Sequence, residues 1–328
     1  MPNGRVGGRF ALWDNGLYNV AMISTHSFSG VVWLDMESPN DEEVSGLVKR
    51  YGLHPLVGEE LKRSSALAKV DFFKDYMLVV LTLPVRIKKG GSHEIVDREI
   101  DFVVGRNFLI TSRTETIEQL EYFGKIFDAN SILNKDEKIA HAGFLFYYMV
   151  KRIYAGMIED LENIKDALST AETRIYTGQE REMVEVLSDL SRELIDIKQT
   201  ARMHREIWEK TTTADLKDLF GTDFAAYLED VKNEFGVIHE LIGNVRELLA
   251  DLRETNDSLL NSKQNEIMKV LTLVAFIFYP LTFIASIFTI PGVAVPLTTN
   301  RAGWWIILAS MVVVALLIWR SFRKRRWL

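Results

Sequence analysis

The sequence predicts an α+β cytoplasmic domain (an α/β sandwich), then a long helical stalk, and then two transmembrane helices. Three observations support this: short apolar strands near the start, helical periodicity from about residue 136, and two long uncharged runs near the end. We place the α+β domain at residues 1–135, the long helices and stalk at 136–265, and the transmembrane domain at 266–328.

The first domain contains short apolar, β-branched runs separated by turn signals, which is typical of strands. A helix is predicted after Ser38-Pro39, because three acidic residues at 41–43 follow it. Strands and helices therefore alternate in this domain. The predicted strands lie at 31–34, 77–81, 102–104 and 108–111.

Beyond residue 136, apolar residues recur every three or four positions and predict two long antiparallel helices. Gly221-Thr222 then indicates a break and an N-cap. An unbroken helix from Thr222 to Ile290 would be on the order of 100 Å long, with Pro280 as a kink. An isolated chain would expose the apolar stripe of this stalk, so the sequence predicts that other copies cover it.

Two runs are long enough to cross a membrane. The 21 residues from Val270 to Ile290 carry no charge, and at about 1.5 Å per residue they span a hydrocarbon core of roughly 30 Å. We place the first transmembrane helix at about 268–290 and the second at about 303–320. The basic cluster at 320–326 favours a cell-membrane protein with both termini in the cytoplasm. The same cluster could also bind anionic lipid headgroups.

The charge of the chain is divided along its length. All 45 carboxylates lie at or before Glu266, whereas seven of the 39 Lys and Arg residues lie beyond it, which leaves residues 1–266 with a net charge of about −13. Such a negative field suits a domain that attracts cations, and it also serves ordinary solubility.

Several function classes lack support in the sequence. The chain has no cysteine, so thiolate metal sites and disulfides are excluded. No phosphate-binding loop, metalloprotease, hydrolase or calcium-loop motif occurs, and the six histidines show no paired ligand spacing. We therefore expect neither an enzyme, nor a covalently bound cofactor, nor a nucleic-acid partner.

The segment from Asn265 to Ile287 resembles the first transmembrane helix of CorA-type magnesium transporters. It carries Asn-x-x-Met-Lys-x-Leu-Thr followed by Ile-Phe-x-Pro-Leu-Thr-Phe-Ile-Ala-x-Ile. The basic Trp-Leu ending is similar to that family too, as are the cytoplasmic segments Trp33-Leu34-Asp35, 51–56 with Glu59-Glu60, 69–76 and 105–111, in the same order. The resemblance covers essentially the whole chain.

The resemblance implies a funnel-shaped homopentamer in a lipid membrane, with a central pore lined by the first transmembrane helix. Met268 and Leu271 would form an apolar constriction, and Thr282 would offer a hydroxyl ring to a hydrated ion. The alternative is that these residues only pack the helices of a two-span anchor. The implied pore-lining residues are Asn265, Met268, Leu271, Thr272, Ala275, Tyr279, Thr282 and Ser286.

The chain departs from the family at the pore entrance. Family members carry Gly-Met-Asn directly after the first span, where this chain has Thr289, Ile290 and Pro291. Proline has no side-chain donor or acceptor, so Thr289 hydroxyls or backbone carbonyls would have to replace the asparagine ring. Because Mg²⁺ keeps its hydration water, loss of that ring should weaken magnesium selectivity in particular.

The resemblance also implies a regulatory divalent-cation site between neighbouring cytoplasmic domains. Glu60 takes the position of a family aspartate and Glu254 that of its partner, with Glu59 and Asp230 as further carboxylates. Hard oxygen ligands of this kind suit Mg²⁺ or Ca²⁺. An ordinary exposed acidic face without a ligand is the alternative.

Two functional hypotheses follow. The first is a CorA-like homopentameric channel or transporter for Mg²⁺ or the related Co²⁺, Ni²⁺ or Zn²⁺, gated by a divalent cation bound between cytoplasmic domains. The second is a non-conducting membrane-anchored cation sensor or scaffold built on the same fold. The intact Met268, Leu271 and Thr282 favour conduction, whereas the altered 289–291 segment opposes it.

Overall fold

The fold was analysed in a computed structural model, which describes residues 22–28, 30–65, 68–89, 92–117, 120, 123–125, 140–287 and 301–324. The chain divides into two compact units. The first comprises the described residues up to Thr173 together with Glu185–Leu252, and the second comprises Arg174–Val184 and the described residues from Arg253 onward.

The first unit is built on a mixed six-stranded sheet. The strand order is β1-β2-β6-β5-β4-β3, in which β2 and β6 are parallel and all other neighbours are antiparallel. All four predicted strands are confirmed within β2, β4, β5 and β6, while β1 and β3 are additional. The strands are β1 (Met22–Phe28), β2 (Val31–Glu37), β3 (Lys69–Phe72), β4 (Tyr76–Lys89), β5 (Ser92–Gly105) and β6 (Phe108–Arg113).

Two short helices, α1 (Asp41–Tyr51) and α2 (Pro55–Glu60), cover one face of the sheet. The predicted start of α1 is confirmed: the Asn40 side chain accepts a hydrogen bond from the Glu43 amide at 2.9 Å, and the Glu43 carboxylate accepts one from the Asn40 amide at 2.9 Å. Apolar side chains form a core between these helices and the sheet. It includes Leu34, Met36, Val44, Leu47, Val57, Leu61, Leu78, Val80, Val103 and Ile110.

Long helices follow the sheet: α3 (Gly143–Tyr176) and α4 (Glu180–Lys210), joined by a short turn, then α5 (Thr213–Phe220). A single 3-10 turn, Thr222–Phe224, leads into α6 (Ala225–Ile287), and α7 (Arg301–Lys324) is the last described helix. The predicted pair of long helices is therefore present. The ring of Phe102 on β5 contacts that of Phe146 on α3 at 5.3 Å between centroids, so the sheet is covered on its second face too.

A buried polar chain joins α3, α4 and β4. The Trp208 indole N–H donates to the Tyr154 hydroxyl at 2.5 Å, which lies 3.3 Å from His204 Nδ1. His204 Nε2 lies 2.8 Å from the Thr82 carbonyl oxygen, so it carries the proton and donates it. Burial lowers the pKa of His204 to about 4, which keeps the ring neutral. Each group in this hydrogen-bonded series, from the Trp208 indole to the Thr82 carbonyl, thus has a partner away from water.

The apolar stripe of the stalk is buried within a single chain, contrary to the sequence prediction that other copies cover it. Tyr154 of α3 contacts Phe235 at 5.8 Å between ring centroids, and α3, α4 and α5 supply the covering side chains. The prediction was wrong because only an isolated helix exposes such a stripe, and here neighbouring helices of the same chain cover it. The buried stripe comprises Phe224, Val231, Phe235, Ile238, Ile242, Val245, Leu249 and Leu252.

Among the residues that the structure describes, two helices are long and apolar enough to cross a membrane, one within Thr222–Ile287 and one at Gly303–Arg323. In the second unit, each of these helices has a stripe of residues that is less exposed than the rest of its surface. On α6, Leu273 is 7% exposed and residues 277, 280, 281 and 284 are partly buried; on α7 the stripe follows residues 303, 307, 311, 314, 315, 318 and 322. The rings of Phe276 and Phe322 lie 5.9 Å apart, so these stripes face each other.

Candidate ion pathway and regulatory carboxylates

All four hydroxyl-bearing residues of the apolar part of α6, between residues 270 and 287, lie on one face of the helix. They are Thr272, Tyr279, Thr282 and Ser286, and at 3.6 residues per turn they fall within a sector of about 80°. We call this surface the hydroxyl face. It points roughly half a turn away from the stripe that packs against α7. Tyr279 is 75% exposed in the single chain.

Three of the four hydroxyl groups of this face are oriented by the helix backbone. Thr272 donates to the Met268 carbonyl at 2.7 Å, Thr282 to the Phe278 carbonyl at 2.9 Å, and Ser286 to the Thr282 carbonyl at 2.5 Å. Each of these three O–H groups is therefore directed at the helix backbone, and each hydroxyl oxygen is an acceptor. Such an array suits a cation or its hydration water.

The remaining predicted pore-lining residues lie on or beside the same face. Met268 and Leu271 are exposed, whereas Ala275 is partly buried. Asn265 is exposed and lines a surface hollow on α6 together with Glu254, Asp257, Ser258, Asn261 and Ser262. Glu254 thus lies on the polar continuation of the hydroxyl face, and its assignment as a regulatory ligand stays a prediction. The predicted pore entrance, Thr289, Ile290 and Pro291, lies outside the described residues.

Glu59 and Glu60, at the end of α2, each contact a lysine of the same chain. Glu60 Oε2 lies 2.8 Å from Lys69 Nζ, and Glu59 Oε1 lies 3.3 Å from Lys62 Nζ. The other Glu60 oxygen, Oε1, is buried and has no hydrogen-bond partner. His54 is the N-cap of α2, where its Nδ1 accepts from the Leu56 amide at 3.3 Å.

Asp230, on α6, takes part in a denser network with α3. Its Oδ2 accepts from the Tyr147 hydroxyl at 2.5 Å and from Lys151 Nζ at 2.9 Å. Lys151 Nζ also lies 3.2 Å from Glu234 Oε2, one helical turn further along α6. The hydrogen bonds from Tyr147 and Lys151 lower the pKa of Asp230, and those to Asp230 and Glu234 raise the pKa of Lys151.

A further buried carboxyl group lies close to Glu60. Asp101 on β5 is 5% exposed, its Oδ1 has no hydrogen-bond partner, and it lines a cavity of about 190 Å³ with Glu99, Ser112 and Leu61. Burial, together with the nearby Glu99 and Glu60 carboxylates, raises the pKa of Asp101 to about 8. Sequence reasoning missed Asp101, Lys69 and Lys151. The only available signal was an acidic residue between the apolar neighbours Ile100 and Phe102.

Within one chain the structure does not gather the four predicted regulatory ligands into a complete metal site. Among the described residues, no group of three His, Cys, Asp or Glu side chains could hold a metal ion. The predicted site lies between subunits, so the assignment of Glu59, Glu60, Asp230 and Glu254 stays a prediction.

The fold and the hydroxyl face define a class of protein: a membrane protein with an α+β domain, a long helix that enters the membrane part, and a polar face on that helix. Residues 28–324 match the family model of the CorA-like Mg²⁺ transporter protein. The chain therefore belongs to the CorA-like Mg²⁺ transporter family, which confirms the resemblance drawn from the sequence.

Similar proteins cover nearly the same length. The cobalt/magnesium transport protein CorA of Thermotoga maritima is 27% identical over 286 residues, which are 85% of this chain and 78% of that protein. The protein of the same name from Methanocaldococcus jannaschii is 24% identical over 308 residues, 91% of this chain and 92% of the relative. The complete structure of the CorA magnesium transporter from that organism matches with a TM-score of 0.75 at 22% identity, over 91% and 92% of the two chains. This likeness confirms the predicted fold.

Proposed function

We propose that the protein is a homopentameric channel or transporter for divalent cations, with Mg²⁺ or the related Co²⁺, Ni²⁺ or Zn²⁺ as substrate. In this proposal five copies of α6 surround a pore in the cell membrane, and both termini lie in the cytoplasm. The names of the relatives, two of which are cobalt/magnesium transport proteins, support divalent-cation transport.

The observation that carries the proposal is the hydroxyl face. In a lone two-helix anchor, a stripe with Thr282 and Ser286 would face hydrocarbon, where polar groups are unfavourable. The face points away from α7, so α7 of the same chain does not cover it. A ring of α6 helices turns these hydroxyls toward a shared aqueous axis, while α7 lies on the lipid side.

In the proposed pore the cation keeps its hydration water as it passes. Neutral hydroxyl oxygens are weaker ligands than carboxylates, and Mg²⁺ gives up its water reluctantly. The hydroxyl rings would therefore contact the hydration shell. At the cytoplasmic end, Met268 and Leu271 supply a narrow apolar segment that can close by dewetting.

The experiment is ion flux into liposomes that contain the purified protein, with Mg²⁺, Co²⁺, Ni²⁺ and Zn²⁺ compared side by side. Thr282→Val removes one hydroxyl ring and keeps the side-chain shape, so we expect the flux of the preferred ion to fall roughly two- to tenfold. Ser310→Ala is the matched control, because Ser310 donates to the Ile307 carbonyl at 2.7 Å on the other helix. Its flux should equal that of the unmodified protein.

Absence of flux for all four ions, in a correctly assembled preparation, would contradict transport. Equal flux in the Thr282 and Ser310 variants would instead contradict the assignment of the hydroxyl face to the pore.

The second candidate, a non-conducting cation sensor or scaffold, is favoured by one observation, the Thr289-Ile290-Pro291 segment. Thr289→Gly, Ile290→Met and Pro291→Asn together introduce the family motif. If only this motif limits Mg²⁺ entry, the triple variant should raise Mg²⁺ flux, because the remaining hydroxyl face already suits a hydrated cation. Unchanged Mg²⁺ flux would place the block deeper, at the five Tyr279 rings, and would favour the sensor.

A further inference from the structure

Three of the four predicted regulatory carboxylates are already paired with lysine ammonium groups of their own chain. The oxygen-to-nitrogen distances are 3.3 Å for Glu59 and Lys62, 2.8 Å for Glu60 and Lys69, and 2.9 Å for Asp230 and Lys151. A divalent cation at these oxygens would have to approach a resident positive charge. The residues therefore do not fit a regulatory metal as they stand.

Glu60 shows the conflict most directly. Lys69 contacts its Oε2, and its Oε1 is buried, so neither oxygen is free at the surface. Lys69 also lies 4.0 Å from Asp71 Oδ2. One lysine thus balances two carboxylates that would otherwise repel each other.

The Lys151 network repeats this arrangement between α3 and α6. Asp230 and Glu234 are four residues apart on α6, where two like charges destabilise a helix. The Lys151 ammonium lies within 3.2 Å of both. Mg²⁺ would occupy the position between these two carboxylates. Here the Lys151 ammonium supplies the positive charge at that position.

We infer that Lys69 and Lys151 act as tethered counter-cations that take the place of a regulatory divalent cation, so that the cytoplasmic part of this protein keeps its packing without Mg²⁺. The inference concerns the regulatory carboxylates of the family resemblance, and it is independent of whether α6 forms a conducting pore. It predicts that Mg²⁺ does not change the conformation of the protein unless these lysines are removed.

The test is limited proteolysis of the full-length protein in detergent, in EDTA and in excess Mg²⁺. The unmodified protein should be cleaved at the same rate in both. The double variant Lys69→Met and Lys151→Met should be cleaved about tenfold faster in EDTA, because the unbalanced carboxylates loosen the packing, and Mg²⁺ should restore the slow rate.

Two controls separate the tethered charge from general effects. Lys165→Met removes an exposed lysine on α3, the helix that carries Lys151, and it should leave cleavage independent of Mg²⁺. Lys69→Arg with Lys151→Arg keeps both positive charges and should also remain independent of Mg²⁺.

Strong protection of the unmodified protein by Mg²⁺ would overturn the inference, as would a double Met variant that is cleaved equally fast in EDTA and Mg²⁺. If the double variant does not fold, the single variant Lys151→Met and the unmodified protein decide by the same criterion. Because the proteolysis measurement involves no ion flux, a failure of this inference is distinguishable from a failure of the proposed transport.

Discussion

Asp101 is a single carboxyl group with a large effect on the first unit. Its pKa of about 8 lies far above the ordinary value of 3.8, because of burial and of the nearby Glu99 and Glu60 carboxylates. Between pH 4 and 8 the folded protein therefore holds a proton that the unfolded chain has released. Stability consequently falls as the pH rises through this window, and it levels off above the folded pKa.

His204 has the opposite linkage. Its folded pKa of about 4 lies below the ordinary 6.5, so the unfolded chain binds the additional proton and stability rises with pH between these values. The two effects oppose each other between pH 4 and 6.5. Between pH 6.5 and 8 only the Asp101 effect remains of the two.

We therefore predict that Asp101→Asn, which imitates the protonated acid, stabilises the protein at pH 8 by on the order of 2 kcal/mol and has little effect at pH 4. The measurement is the unfolding midpoint at both pH values. Asp75→Asn, at an exposed position, is the control and should leave the pH dependence unchanged. An Asp101 variant with the same decline between pH 6.5 and 8 as the unmodified protein would contradict this account.

The sequence could not predict this residue, because its position is explained by tertiary packing. Residues 99–102 alternate between acidic and apolar side chains, and the acidic members of such a strand would ordinarily face water. Leu61 and Ser112 line the cavity beside Asp101 and close it off. Similarly, the lysine partners of Glu60 and Asp230 come from other elements, β3 and α3, and Lys151 lies 79 residues from Asp230 in sequence.

At the scale of elements, the turn between α3 and α4 is tied to α6 within the second unit. Lys263 Nζ lies 2.6 Å from Glu180 Oε2 and 3.5 Å from the Gly178 carbonyl oxygen. The Glu180 side chain is only 6% exposed. Lys263 lies two residues before Asn265, where the predicted pore-lining stripe begins.

Lys263→Met should loosen this turn, because it leaves the Glu180 carboxylate without its ammonium partner. We expect trypsin cleavage at Arg174 or Arg181 to accelerate several-fold, as followed by mass spectrometry of the fragments. Lys269→Met, an exposed lysine six residues further along the same helix, should not change the cleavage rate. Identical rates for the two variants would show that the pair does not hold the turn.

Element types were predictable where the signal was local. The helix start at Asn40, the four central strands and both candidate spans follow from capping, alternation and hydropathy. The covering of the stalk stripe was not predictable, because periodicity tells which face of a helix is apolar and not which neighbour packs on it. Tyr154 and Trp208, which lie on α3 and α4, do so within the same chain.

The hydroxyl face is the feature of the whole molecule that favours assembly, since the stalk stripe is already buried. We predict that the purified protein is a ring of five copies in detergent, measured by native mass spectrometry or light scattering with the detergent mass subtracted. A stable monomer that retains its fold would contradict both the pore and the assembly.

The direction of the hydroxyl bonds has a consequence for the sign of the charge that could pass. Thr272, Thr282 and Ser286 each donate their only hydrogen to a backbone carbonyl, so none of these three hydroxyls would have a hydrogen left to donate into a pore. Chloride is solvated by donors and finds none on these three residues. These three hydroxyls would thus disfavour anions without any fixed negative charge, and since no carboxylate is involved, their contribution would be the same in acid as at neutral pH.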